Sequence, residues 1–329
     1  MHLSRRRLLR LAAAVASFPI TTRVGWAQDY PTRPIRLVIP FPPGGAYDAV
    51  GRPWAERMKS LLGTIVVENL GGAGGSIGAA AVARARPDGY TILLGGTLTH
   101  LNEALLKSRP LYDPVHDLAP IAEIAANSLC IAVHASVPVQ SLTELIAHAK
   151  ANPGKLSYGH AGAGSIQHLT GELFKSLSAT PDIVQVPYKG TGPLITDLVA
   201  GQVPIGTPGV TGQLLEFHRS GRVRILAVTS PRRLVAAPDL PTTAELGFPG
   251  LAVMGSIGLL APTGTPPEII QRVAEATRAA LAQPAYTQLL INAGIEPTPD
   301  SGPEQFRRSL ASDVALWTPV VKSLGLRID

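Results

Sequence analysis

The chain has 329 residues, 45% of them hydrophobic and 16% charged. It exceeds the usual size of a single core and is too apolar to be disordered, so two domains are expected. The formal charge of +6 does not point to nucleic acid: of 29 basic residues, five arginines lie in residues 1–27 with no acid, and the remaining 24 face 23 acidic ones.

Residues 1–27 read as an export signal. Arg5, Arg6 and Arg7 form its charged region, residues 8–20 an apolar stretch too short to span a bilayer, and Gly25-Trp26-Ala27 a small-x-small cleavage site. Ser4-Arg5-Arg6-Arg7-Leu8-Leu9 resembles the twin-arginine signal, with Leu8 in place of the usual Phe; the alternative is an ordinary Sec signal carrying extra arginines. The expected protein is therefore periplasmic, cleaved after about Ala27.

Residues 35–39 form a β-branched run of strand length. Pro42 and Pro43 then fix φ, Gly44 and Gly45 allow close approach, and a helix follows to about residue 62 with Val50, Trp54, Met58 and Leu61 on one face. A second strand over residues 65–69 leads to Gly71-Gly72-Ala73-Gly74-Gly75-Ser76-Ile77-Gly78 and an alanine-rich helix. A third, over residues 91–94, leads to Gly95-Gly96-Thr97-Leu98-Thr99-His100, which reads as a polar, flexible loop. Residues 121–133 look extended and pass out of the first lobe. Cys130, the only cysteine, sits in that apolar run as a core residue.

A capping box at Ser141-Leu142-Thr143-Glu144 opens a helix. A strand near residues 156–159 runs into Gly159-His160-Ala161-Gly162-Ala163-Gly164-Ser165, where Ser165 is placed to cap the next helix. A strand over residues 183–188 precedes Tyr188-Lys189-Gly190, and residues 223–229 read as the return crossing. The last third is helical around one strand near residues 253–260, with a terminal helix over about 304–324 docking on the first lobe. Alternating strands and helices predict parallel βαβ sheets. The repeated strand–glycine loop–helix corner places bare N–H groups and a partial positive charge where an anion would sit, beyond the carboxyl ends of the strands.

Val38-Ile39-Pro40-Phe41-Pro42-Pro43-Gly44-Gly45 with Asp48, Gly72-Ala73-Gly74-Gly75-Ser76-Ile77-Gly78, Pro87-Asp88-Gly89-Tyr90-Thr91, Gly162-Ala163-Gly164-Ser165 with His168-Leu169, Val186-Pro187-Tyr188-Lys189-Gly190, Leu226-Ala227-Val228-Thr229-Ser230 and Pro241-Thr242 resemble, in order along the chain, the substrate-binding proteins of tripartite tricarboxylate transporters, the Bug family. The resemblance implies an α/β, two-lobed periplasmic binding protein (a type II-like Venus flytrap) with parallel-rich sheets and two interlobe crossings. It implies lobe 1 at residues 28–130 plus 231–329 and lobe 2 at 131–230. It further implies a monomeric receptor without catalysis, cofactor or metal, holding a small organic carboxylate and serving membrane transporter subunits. The sequence departs from the family pattern where Pro204 replaces a common Asp, Pro208 a frequent acid or amide, and His160 a usual Ser. The missing acid argues against an amino-acid ligand with a free ammonium.

The expected ligand-binding residues are Phe41, Pro43, Gly44, Gly45, Tyr47, Asp48, Gly74, Gly75, Ser76, Thr97, Thr99, Ala161, Gly162, Gly164, Ser165, His168, Tyr188 and Lys189. Several have a plainer reading: Phe41 as core, Gly44-Gly45 and Gly74-Gly75 as tight turns, Asp48 as a loop-fixing acid, His168 as a core or helix-surface histidine, Lys189 as a solvated charge. Two other functions compete. Gly74-Gly75-Ser76-Ile77-Gly78 matches the G-x-S-x-G elbow of a secreted α/β-hydrolase-like esterase, although glycines separate Ser76 from its strand. A sensor receptor without transport would share every feature above.

Overall fold

In the computed structural model, which describes residues 30–327, eleven strands and ten α-helices build an α/β protein with two mixed sheets. The export segment lies outside the described residues. The first sheet starts with β1 (Ile35–Ile39), β2 (Ile65–Asn69) and β3 (Thr91–Gly96), paired in parallel and connected through α1 (Ala46–Met58) and α2 (Ser76–Ala83). β4 (Leu118–Ser128), β10 (Met254–Pro262) and β11 (Ile295–Pro297) join antiparallel, giving the order β11-β4-β10-β3-β1-β2. The second sheet contains β5 (Cys130–His134), β6 (Ser157–His160), β7 (Val184–Pro187), β8 (Ile205–Gly206) and β9 (Val223–Val228) in the order β7-β6-β8-β5-β9. Its helices are α4 (Leu142–Ala151), α5 (Ile166–Ser178), α6 (Thr191–Val199) and α7 (Gly212–Arg219).

Strand–helix alternation predicts parallel pairing, and β1–β2, β1–β3, β6–β7 and β6–β8 pair that way. The antiparallel pairs have a topological cause. β4 leaves the first sheet and β10 returns to it; β5 enters the second and β9 leaves it, and in each sheet the outgoing and returning strands lie side by side. Leu129 alone separates β4 from β5. It donates its N–H to Thr229 Oγ1 at 3.0 Å and accepts from Thr229 N at 2.9 Å, while Ser230 N donates to Ser128 Oγ at 3.0 Å. The two crossings are therefore bonded to each other.

Alternation along the strands supplies two cores per sheet. Leu37 and Ile39 enter one cluster with Trp54, Met58 and Trp317, whereas Val38 enters another with Leu93, Leu260 and Phe306. In the second sheet Cys130 and Ala132 face one cluster, Ile131 and Val133 the other. Burial raises the Cys130 thiol well above its ordinary value, as suits a core residue. The remaining helices are α3 (Thr97–Leu101), α8 (Pro267–Leu281), α9 (Pro284–Asn292) and α10 (Pro303–Leu324). α10 closes the first lobe by placing Trp317 and Val321 in one of its cores and Phe306 and Leu310 in the other. Among the described residues no helix is long and apolar enough to cross a membrane.

The stretch read as a flexible loop at residues 95–100 is a correction. Gly95 and Gly96 end β3 against β10, and Thr97 starts a wholly buried helix. Glycine is needed there for close approach: a Cβ on Gly96, whose φ is +157°, would lie 1.9 Å from the Ser256 carbonyl oxygen. Gly96→Ala is expected to lower stability by about 3 kcal/mol or prevent folding, since the clash is with backbone. A denaturant midpoint equal to wild type would refute this.

Candidate ligand-binding site

The loop after β1 is held rigid before α1 begins. Asp48 accepts from Gly44 N at 3.3 Å, from Asn69 Nδ2 at 3.2 Å and from Arg52 Nε at 2.9 Å, and Asn69 Nδ2 also donates to Phe41 O at 2.9 Å. Gly45 is the N-cap of α1 and offers no side-chain cap. On the other lobe, α6 starts after Gly190, at φ +139°, again without a side-chain cap. α5 starts after Ser165, whose Oγ accepts from His168 N at 3.2 Å.

These three helix starts meet at one chamber of about 40 Å³. Ala46 and Tyr47 line it from α1, Ile166 and Gln167 from α5, and Thr191 from α6. Those residues occupy first turns, whose N–H groups have no acceptor four residues back within their own helix. Both lobes contribute, and they touch: a Cβ on Gly45 would lie 3.9 Å from Thr191 Cβ, and one on Gly190 would lie 3.3 Å from Pro42 Cδ. Phe41, Pro42 and Ala161 also wall a larger cleft of about 760 Å³. Pro43, Gly74, Gly75, Gly162, Tyr188 and Lys189 line that cleft, as does Lys107, which is paired with Glu103 at 2.7 Å. Neither cavity is lined by an Asp or Glu.

Of the expected residues, Phe41, Pro43, Gly45, Tyr47, Gly74, Gly75, Ala161, Gly162, Tyr188 and Lys189 line the chamber or the cleft. The others do not line either. Gly44 turns the loop and Asp48 is occupied by Arg52, Asn69 and Gly44, so the acid fixes the loop. Thr97 bonds to Ser256 and Asp313, and Thr99 to both backbone groups of Gly96, so their hydroxyls serve the junction of α3, β10 and α10. Gly164 donates its N–H to His168 Nδ1 at 3.1 Å, and Ser165 is fully buried as a cap. His168 stacks on His160 with ring centroids 4.4 Å apart, supporting the loop from beneath. Ser76 starts α2 with its Oγ buried and without a hydrogen-bond partner, so no base stands beside it as an elbow nucleophile requires. Among the described residues no cluster of His, Cys, Asp and Glu could hold a metal.

Sequence reasoning missed Asn127, Gln167 and Thr191 in the chamber, and Asn69 and Lys107 in the cleft. Gln167 and Thr191 carried a usable signal, being in the first turn after a glycine loop. Asn127 carried none, because only the return of the chain brings β4 to the chamber.

The two-lobed α/β fold is shared with known proteins. The family described as tripartite tricarboxylate transporter family receptor matches residues 50–326. BugT of Bordetella pertussis (strain Tohama I) is 35% identical over 327 residues, which span 98% of this chain and 99% of that protein. The structure of periplasmic binding protein BugD superposes with a TM-score of 0.85 at 35% identity, covering 91% of this chain and 99% of that one. An R. palustris protein solved with adipate gives a TM-score of 0.86 at 35% identity, with coverage of 91% and 99%. MatC from Rhodopseudomonas palustris with bound malate gives 0.83 at 31% identity, with coverage of 89% and 100%.

Burial, and next the neighbouring His160, bring His168 down to about 4 from an ordinary value of 6.5; burial likewise lowers His160, and brings His100 to about 4. The folded protein refuses protons that the unfolded chain accepts. The stability these histidines confer is complete above pH 6.5 and is lost as pH falls toward about 4. Asp313, raised to about 6 by burial, acts with the opposite sign. In thermal melts from pH 7 to 4, His168→Asn, which keeps an acceptor for Gly164, is expected to decline less steeply than wild type, by at most about 1.4 kcal/mol per pH unit. Parallel curves for the two proteins would contradict this.

Proposed function

Because the chain belongs to the family of tripartite tricarboxylate transporter receptors, we propose that it captures a small organic carboxylate between its lobes in the periplasm and delivers it to the membrane subunits of a tripartite tricarboxylate-type transporter. The carrying observation is the chamber on which α1, α5 and α6 begin together, one helix from one lobe and two from the other. Each start presents N–H donors and the positive end of a helix dipole. Two of the three have no side-chain cap, which leaves those donors to a bound anion. The carboxylate exchanges its hydration for fixed dipoles and charge-assisted hydrogen bonds.

The adipate and malate in the related structures support this ligand class. The absence of any acid along either cavity supports a ligand without an ammonium group. Capture by closure needs no nucleophile or general base, which accords with the isolated Ser76 hydroxyl. In this reading the protein acts as a monomer after removal of residues 1–27, and closure is a rotation about the bonded crossings at Leu129 and Thr229.

A thermal-shift screen of mono-, di- and tricarboxylates tests the proposal. At a hundredfold excess over its Kd one acid should stabilise the protein by about 2.7 kcal/mol, while aspartate and glutamate leave it unmoved; no response to any carboxylate, or tight calorimetric binding of either amino acid, would count against it. Ala46→Pro removes one first-turn N–H at a position where a helix accepts proline. It should weaken the responding acid by about tenfold or more, with the ligand-free melting midpoint near that of wild type.

A further inference from the structure

One wall of the chamber is backed by an acid. Leu98, Gly255 and Ile257 line it, and the residues beside them in the chain, Thr97 and Ser256, turn their hydroxyls to Asp313 of α10. The two hydroxyl oxygens stand 2.8 Å apart and both reach Asp313 Oδ2, the serine at 3.3 Å. Each also accepts a backbone N–H, Thr97 Oγ1 from Ser256 at 2.8 Å and Ser256 Oγ from Thr97 at 3.2 Å. This trio is satisfied in two ways. With Asp313 ionised, both hydroxyls donate to Oδ2; with Asp313 protonated, the acid donates to Thr97 Oγ1 and Thr97 donates to Ser256 Oγ. A proton therefore comes and goes without breaking the wall, and Asp313 is half-buried, so solvent supplies it.

No cation holds this acid ionised. Burial keeps Asp313 at about 6, and Glu123, which faces it from β4, is raised by burial and also by the Asp313 charge. Tyr47 of α1 lines the chamber, and burial, then the Asp313 charge, raise its hydroxyl. The other titratable groups on elements packed against α10 are engaged elsewhere. His100 of α3 is turned to Gly96 O, and Glu103 to Lys107. On α5, His168 serves Gly164, and Glu172 pairs with Lys175. On α8, Glu268, Arg272 and Glu275 are exposed, and Arg278 lies by Gly302 at the start of α10.

Resting on the reading of the chamber as a carboxylate site, we propose that Asp313 couples capture to a proton: an anion seated in the chamber draws a proton onto Asp313, so the receptor takes up a proton when it binds its carboxylate and gives it back on release. Asp313 acts through the wall and touches no ligand itself. An ionised Asp313 and the ligand charge face each other across buried residues, where like charges repel with little screening. Protonation removes that repulsion and keeps the hydrogen bonds of the wall. Binding and protonation then favour each other by the same factor. Anion binding raises the Asp313 carboxyl further, so affinity is lowest at high pH, rises as pH falls, and levels off below about 6.

Calorimetry tests this with the strongest binder among malate, succinate, adipate and propionate, or failing these the acid that responds in the wider screen. At pH 6.5 the heats in MES and in imidazole, buffers of different ionisation enthalpy, should differ by the uptake of about half a proton. Wild type should bind about fivefold tighter at pH 6 than at pH 8. Asp313→Asn, which keeps an acceptor for Thr97, should take up no proton and bind at pH 8 about fivefold tighter than wild type; the ligand's own protonation is common to both proteins. Equal heats in the two buffers for wild type, or uptake that survives in Asp313→Asn, overturn the coupling while capture stands. Weaker binding by the variant at pH 8, as a merely structural role requires, also overturns it. Failure of every acid in the screen overturns capture itself and this inference with it. Should Asp313→Asn not fold, Glu123→Gln is read instead: it removes the neighbouring charge, and the midpoint of the pH dependence should fall by about half a unit or more. An unmoved midpoint overturns the role of these acids.

Discussion

The N–H groups that open a helix have no acceptor within it. In this protein three such openings are brought to a common point by two separate sheets, and most of the local design serves that meeting. Gly190 runs at φ +139°, where a Cβ would also crowd Pro42 at 3.3 Å, whereas a Cβ on Gly45 would reach only ordinary contact with Thr191. The Pro42-Pro43 pair stiffens the loop. Asp48 ties that loop to Asn69 and Arg52, so the start of α1 is fixed in place. Fixed donors of this kind need little rearrangement when charge is bound, which is why they hold an anion better than mobile side chains do.

The same constraint explains the buried polar groups around the chamber. His168 accepts from Gly164, and Ser165 from His168 N, so the α5 corner is braced by groups that look like ligands in sequence yet face the protein. Burial keeps the histidine pair neutral, and a neutral imidazole is what leaves Nδ1 free to accept. On the first lobe the Thr97–Ser256–Asp313 group likewise looks exposed in sequence, beside two glycines, and proves to lock α10 onto β10 and α3.

The architecture was legible where periodicity is strong. The run at residues 35–39, the Val50, Trp54 and Met58 face of α1, and the caps at Ser141 and Ser165 read directly as the elements they form, whereas Leu61 lies past the end of α1 and is exposed. Glycine loops marked the corners because close approach demands them. Two kinds of information were missing. Glycine has the same letter whether it loosens a loop or admits a neighbouring strand, and Gly95-Gly96 is of the second kind. Pairing partners far apart in the chain leave no local trace, so Asn127 beside the chamber and the antiparallel pairing of β4 with β10 could be seen only once the fold was assembled.

The strand order also governs how the chain reaches its folded form. The second sheet is made from one continuous stretch, β5 through β9, whereas the first needs β10 between β3 and β4 and α10 over both of its cores. Until residues beyond 254 arrive, β3 and β4 each expose an unpaired edge. Contacts so distant along the chain form slowly. The inserted half is therefore able to assemble early, while the half that begins the chain waits for its last helix, and during that wait its open edges are the part of the molecule most exposed to mispairing with other chains.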